Sequence, residues 1–132
     1  MEKYLYFRTQ ATSTADDGAD DSVCFPISHL QGMAPTARDS FNIYFKPLKK
    51  LNHNRFDHDA DSTSTVNTDY VVVNLSSNDT AKTVMAALTR LIATSRDAFI
   101  VVGDDQTSEY AVDGISALST ISVQAAVAVA GA

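Results

Sequence analysis

Apolar side chains recur along this chain with two different periods. In 40-SFNIYFK-46, Phe41, Ile43 and Phe45 fall on one face and Asn42, Tyr44 and Lys46 on the other, the alternation of a half-buried strand. Residues 3–9, KYLYFRT, mix aromatic and polar side chains in a way that suits a strand better than a helix. A strand over 22–28, SVCFPIS, follows. Pro26 marks an edge, a bulge or that strand's end, because proline has no N–H to give a ladder. The run Tyr70, Val71, Val72, Val73 in 69-DYVVVNLS-76 predicts a central strand buried on both faces. The segment 98-AFIVVGDD-105 reads as another buried strand ending in a Gly-Asp-Asp turn. Residues 108–130 read as two strands broken near 113-DG-114, with Ile121, Val123, Ala125, Val127 and Val129 alternating in the second.

The helical period occurs once. In 79-DTAKTVMAALTRLIAT-94, Ala81, Val84, Met85, Leu88, Leu91 and Ile92 recur at spacings of three and four and draw one apolar stripe. Asn78 or Asp79 is the expected cap of its first turn. Between these elements, 31-QGMAPTARDS-40 carries turn signals, and residues 11–21 and 47–68 are polar stretches too poor in apolar residues to offset the entropy of ordering them. Loops of such length inside a compact domain usually have a function or reach a neighbour. The predicted fold is α+β: a single domain over residues 1–132, with a largely antiparallel β-sheet or sandwich of six to seven strands and one amphipathic helix at about 79–94.

Composition narrows the function more than it identifies one. The 132 residues are 45% hydrophobic, enough to close one core, and carry a net charge of −6. That balance argues against nucleic acid as a partner, since phosphate binding needs clustered Lys and Arg. The nearest to a basic patch, 46-KPLKK-50, is explained by a solvated strand end. A single cysteine excludes an intramolecular disulfide. No apolar run approaches the roughly eighteen residues of a membrane span, and the start MEKYLYFRTQ has no signal-peptide pattern, so no membrane partner or conventional export is expected.

Candidate chemistry concentrates in 53-HNRFDHDADST-63. Asp57, Asp59 and Asp61 match the first half of a calcium loop, whose alternating oxygens wrap one ion. Ser62 stands where the turn needs glycine, and Thr68 where the bidentate glutamate belongs. A zinc set would draw on His53 and His58 with one aspartate. The alternative is a solvated polar loop, and no metal or other cofactor is expected. Cys24 reads as a small core thiol, and not as a nucleophile partnered by His29. Asp104 and Asp105 beside Gly103 read as turn formers in preference to an acid–base pair. Five glycines, none clustered, offer no phosphate cradle. No catalytic residue is assigned, and the chain reads as a non-enzyme.

Three segments, MEKYLYFRTQ, 21-DSVCFPISHLQGM-33 and 98-AFIVVGDDQTSEYAVDGISA-117, together resemble small structural proteins of tailed phages of marine bacteria. The likeness covers about half the chain and contains no catalytic motif. It implies a virion component: a decoration or cement protein on the capsid surface, present in the host cytoplasm during assembly. Its implied partners are the major capsid protein or other virion subunits and further copies of itself, a trimer being favoured over a dimer. On this reading Tyr4 and Tyr6 of the first strand and Val123, Val127 and Val129 of the Ala/Val-rich end are interaction residues. A tail or head–tail location is the alternative, and a metal-binding module at residues 57–61 the second.

Overall fold

The computed structural model describes residues 2–9, 21–48 and 68–123. Among them the chain is a mixed α+β fold of two four-stranded sheets and one helix. The strands are β1 (Tyr4–Arg8), β2 (Ser22–Pro26), β3 (Leu30–Ala37), β4 (Ser40–Phe45), β5 (Asp69–Leu75), β6 (Phe99–Asp104), β7 (Glu109–Tyr110) and β8 (Ile115–Ser122), with helix α1 (Ala81–Thr94) between β5 and β6. One sheet has the order β2-β1-β6-β7 and the other β3-β4-β5-β8. All neighbours are antiparallel except β1 and β6, which run parallel. The expectation of six or seven strands in one sheet or sandwich is thereby corrected to eight strands in two sheets. No helix among the described residues is long and apolar enough to cross a membrane.

The extra strand is β3, in the segment expected to be a turn. Its side chains are half-buried or exposed throughout, so no apolar alternation announces it. Backbone pairing with β4 creates it: Leu30 lies opposite Phe45, Met33 opposite Ile43 and Ala37 opposite Ser40, across a tight turn at Arg38–Asp39. Pro35 is tolerated because β3 is an edge strand whose register shifts beside it.

β5 is central in its sheet, between β4 and β8, as its apolar run predicts. It is buried on one face only, which corrects the expectation of two. Asp69, Val71, Val73 and Leu75 point inward, while Tyr70, Val72 and Asn74 are half-buried on the other side. Val72 lies between Asn42 and Thr120 there, a β-branched side chain among polar cross-strand neighbours.

α1 carries the predicted stripe. Ala81, Val84, Leu88 and Ile92 are buried, and Met85 and Leu91 pack partly against the same core. Its start differs from expectation. Asp79 has φ 62°, outside the helical region, and its carboxylate accepts from Arg38 Nη2 at 2.9 Å. Thr80 stands at the cap, and its hydroxyl donates to the Ser77 carbonyl at 2.8 Å, so no side chain caps the first turn. Gly114, at φ +103°, turns the chain under the helix, where a Cβ would lie 2.7 Å from Val84 Cγ2.

One core joins these parts. Leu5, Phe7, Val23 and Phe25 from the first sheet meet Phe41, Ile43, Phe45, Val71 and Val73 from the second. Phe25 and Phe45 stack with centroids 4.0 Å apart and planes 4° from parallel, and Phe7 sits edge-on to Phe45 at 5.8 Å. Farther along, Gly103 of β6 lets Leu118 of β8 approach, since a Cβ there would lie 3.0 Å from Leu118 Cδ2.

Candidate interaction surface

Inward use of Leu5 and Phe7 forces the alternate residues of β1 outward. Register then assembles a face from three strands. Tyr4 lies between Pro26 of β2 and Phe99 of β6, and Tyr6 between Cys24 and Val101. Tyr6 and Phe99 rings sit 5.2 Å apart, centroid to centroid. Tyr4 is 42% exposed and Phe99 54% exposed. Large aromatics left in water side by side on a sheet mark a contact surface more often than a lone apolar residue does. None of these six side chains is charged. Arg8, the next residue of β1 on this face, is paired with Asp104.

Tyr4 and Tyr6, picked out from the sequence, are therefore neighbours on this face. Phe99 was missed, because 98-AFIVVGDD-105 reads as a continuously buried strand. In β6 only Ile100, Val102, Gly103 and Asp104 are buried, and Phe99 opens the strand on the exposed side. Cys24 corrects in the other direction. It is half-buried on this outer face opposite Tyr6 and is not a core residue, and its burial raises the thiol pKa, so it is held as the poorly nucleophilic thiol. Val123 follows β8 and packs partly against the core. Val127 and Val129 lie outside the described residues, as do His53, Asp57, His58, Asp59 and Asp61. Among the described residues no group of three or more His, Cys, Asp or Glu is placed to hold a metal ion.

The paired aspartates are committed elsewhere. Asp104 is 5% exposed and receives Arg8 Nε at 2.8 Å and Nη2 at 2.9 Å, a forked ion pair that ties β6 to β1. Its Oδ1 also accepts the Gln106 N–H at 3.0 Å. The Arg8 hydrogen bond above all holds its carboxyl below the usual carboxylate range. Asp105 turns the other way: Tyr110 Oη donates to it at 2.6 Å and the Leu118 N–H at 3.1 Å. Burial first, then this bond to Asp105, pushes the Tyr110 phenol up to about 12. A shared-proton dyad needs two carboxylates facing one site with one pKa raised. These two face different partners, and the arrangement closes a turn and joins strands.

Lys3 closes another junction. Its Nζ donates to the Ile92 carbonyl in the last turn of α1 at 2.6 Å, where a cation offsets the negative end of the helix. Beside it lies a cleft of about 400 Å³ lined by Lys3, Ile27, Leu30, Thr89, Ile92 and Ala93. The lining is apolar apart from Lys3 and Thr89 and holds no convergent set of polar groups of the kind that orients a small substrate. On the outer side of the second sheet Tyr44 and Tyr70 lie 6.2 Å apart beside Asn42, whose Nδ2 donates to Tyr44 Oη at 3.2 Å. Compared with protein-family models, with curated proteins and with solved structures, the chain shows no match.

Proposed function

We propose that this chain is a structural protein of a virion that decorates and cements an assembled capsid, with the major capsid protein as partner, and that it makes or breaks no bond. The observation that carries this reading is the uncharged Tyr4, Tyr6, Phe99 surface on the outer face of the first sheet, rigidly backed by the core. Such a surface suits recognition by shape and apolar burial. Commitment of Asp104 and Asp105 to strand-joining bonds agrees with a non-catalytic role. The location on a phage capsid comes from the three resembling segments alone.

The test is cosedimentation of the purified chain with expanded capsids of the phage that encodes it. Saturable binding is expected, and replacing Tyr4 and Phe99 together by Ser weakens it at least about tenfold, the effect of losing one hot-spot pair. Absence of binding to capsids overturns the decoration role. Recovery of the chain in separated tails, and not in heads, replaces it with a tail-associated one.

A further inference from the structure

The ladder between β1 and β2 has a phase that settles which backbone groups of β2 look outward. The Ile27 N–H donates to the Lys3 carbonyl at 2.8 Å, and the Thr9 N–H to the Asp21 carbonyl at 2.9 Å. Both belong to the same antiparallel register, in which Leu5 faces Phe25 and Phe7 faces Val23. In an antiparallel pair, hydrogen-bonded and non-hydrogen-bonded positions alternate. Residues 21, 23, 25 and 27 therefore turn their N–H and C=O toward β1, and Cys24 turns both away from the sheet. The other side of β1 agrees: the Tyr4 N–H donates to Ala98 and the Arg8 carbonyl accepts from Asp105, so its even residues serve β6. Pro26, which has no N–H, stands at an outward position, where it costs the β1–β2 ladder nothing.

Sheet edges are templates for another strand unless blunted, and the other three edges among the described residues are. β3 contains Pro35 and two register shifts. β7 is two residues long. On β8 the Leu118 N–H is taken by the Asp105 carboxylate. β2 is blunted only at Pro26, which has no N–H to offer; it pairs without a register shift, has no charged residue from Ser22 to Pro26, and lies at the end of its sheet among the described residues. No described residue bonds to the outward N–H and C=O of Cys24.

We propose that two copies of this chain join edge to edge through β2, antiparallel about a two-fold axis at Cys24. Each Cys24 N–H then donates to the Cys24 carbonyl of the other copy, and the two four-stranded sheets become one of eight. Absence of charge on β2 matters to the choice of partner, because two copies each carrying −6 repel wherever acidic side chains meet across the axis. The axis stands normal to the sheet, so both Tyr4–Tyr6–Phe99 faces emerge on the same side and form one surface of double width. This contact is independent of the virion reading: a dimer that binds no capsid leaves it standing.

Light scattering on the full chain is expected to give a mass that rises with concentration to twice 14.2 kDa. Cys24→Lys places two ammonium groups beside the axis without touching the β1 ladder and returns the mass to one chain, while Cys24→Thr keeps the dimer. Hydrogen exchange of the Cys24 amide reads the same contact with no substitution. Its exchange is expected to slow at least about tenfold between dilute and concentrated samples, since its bond partner is the second copy. A single-chain mass at about 1 mM, where even a millimolar Kd leaves much of the protein paired, overturns the proposal. So does a mass of three chains, a dimer indifferent to Cys24→Lys, or a Cys24 amide whose exchange ignores concentration.

Discussion

Phe25 and Phe45 come from different sheets and stack at 4.0 Å with no exposed surface, so cutting either to Ala removes the closest aromatic contact between the two layers. The expected cost is about 3–5 kcal/mol, the range for a buried aromatic truncated to a cavity, read as a fall in the urea midpoint. Tyr110 makes a prediction at the alkaline end. Its folded pKa of about 12 lies above the ordinary phenol value of 10.0, so the folded state keeps a proton that the unfolded state releases. Stability is therefore full below about pH 10 and falls as pH rises toward 12; Tyr110→Phe removes that part of the decline. Asp104 acts in the opposite sense. Its carboxyl is held below the ordinary value by Arg8, so its contribution is present above about pH 4 and lost as acid protonates it. Asp104→Asn flattens the acid limb of a stability–pH curve. The sequence marked both aspartates as turn formers, but which partner each would face was not legible. Arg8 stands 96 positions from Asp104, and their meeting depends on the parallel pairing of β1 with β6.

Elements announced by side-chain period were legible, and those made by backbone alone were not. The stripe of α1 is reproduced by burial, and Phe41, Ile43 and Phe45 of β4 are buried on one face as expected although Asn42 on the other is buried too, because an element that buries one face must repeat apolar residues at its own pitch. β3 buries no side chain fully, only Leu30 and Met33 packing partly against the core, and exists because β4 offers it a ladder. The capping residue of α1 escaped for a related reason: Asp79 is drawn away by Arg38, a residue of the β3–β4 turn. At the turn before β8, Gly114→Ala meets both a positive φ and Val84. Loss of more than about 1 kcal/mol is expected from that one methyl group, measured as a lower thermal midpoint.

For the molecule as a whole, the polar stretch 53–63 yields a simple check. If its aspartates are only solvated, adding chelator leaves the melting midpoint unchanged, whereas bound calcium would stabilise the fold by mass action and chelation would lower it. Taken alone, the sequence determined the class of fold, the helix, most strands and the inward faces of β4 and α1, since those follow from local periodicity and the need to bury apolar surface. Tyr4 and Tyr6 entered as interaction residues through the resemblance, and no period within the segment set their exposure. Only the tertiary structure decided that there are two sheets, that β1 takes β2 on one side and β6 on the other, that Phe99 joins the tyrosines, and that β2 is left at an edge. Strand order and ladder phase are pairings between residues far apart in the chain. A period within a segment fixes which way its side chains face and leaves open which strand lies beside it.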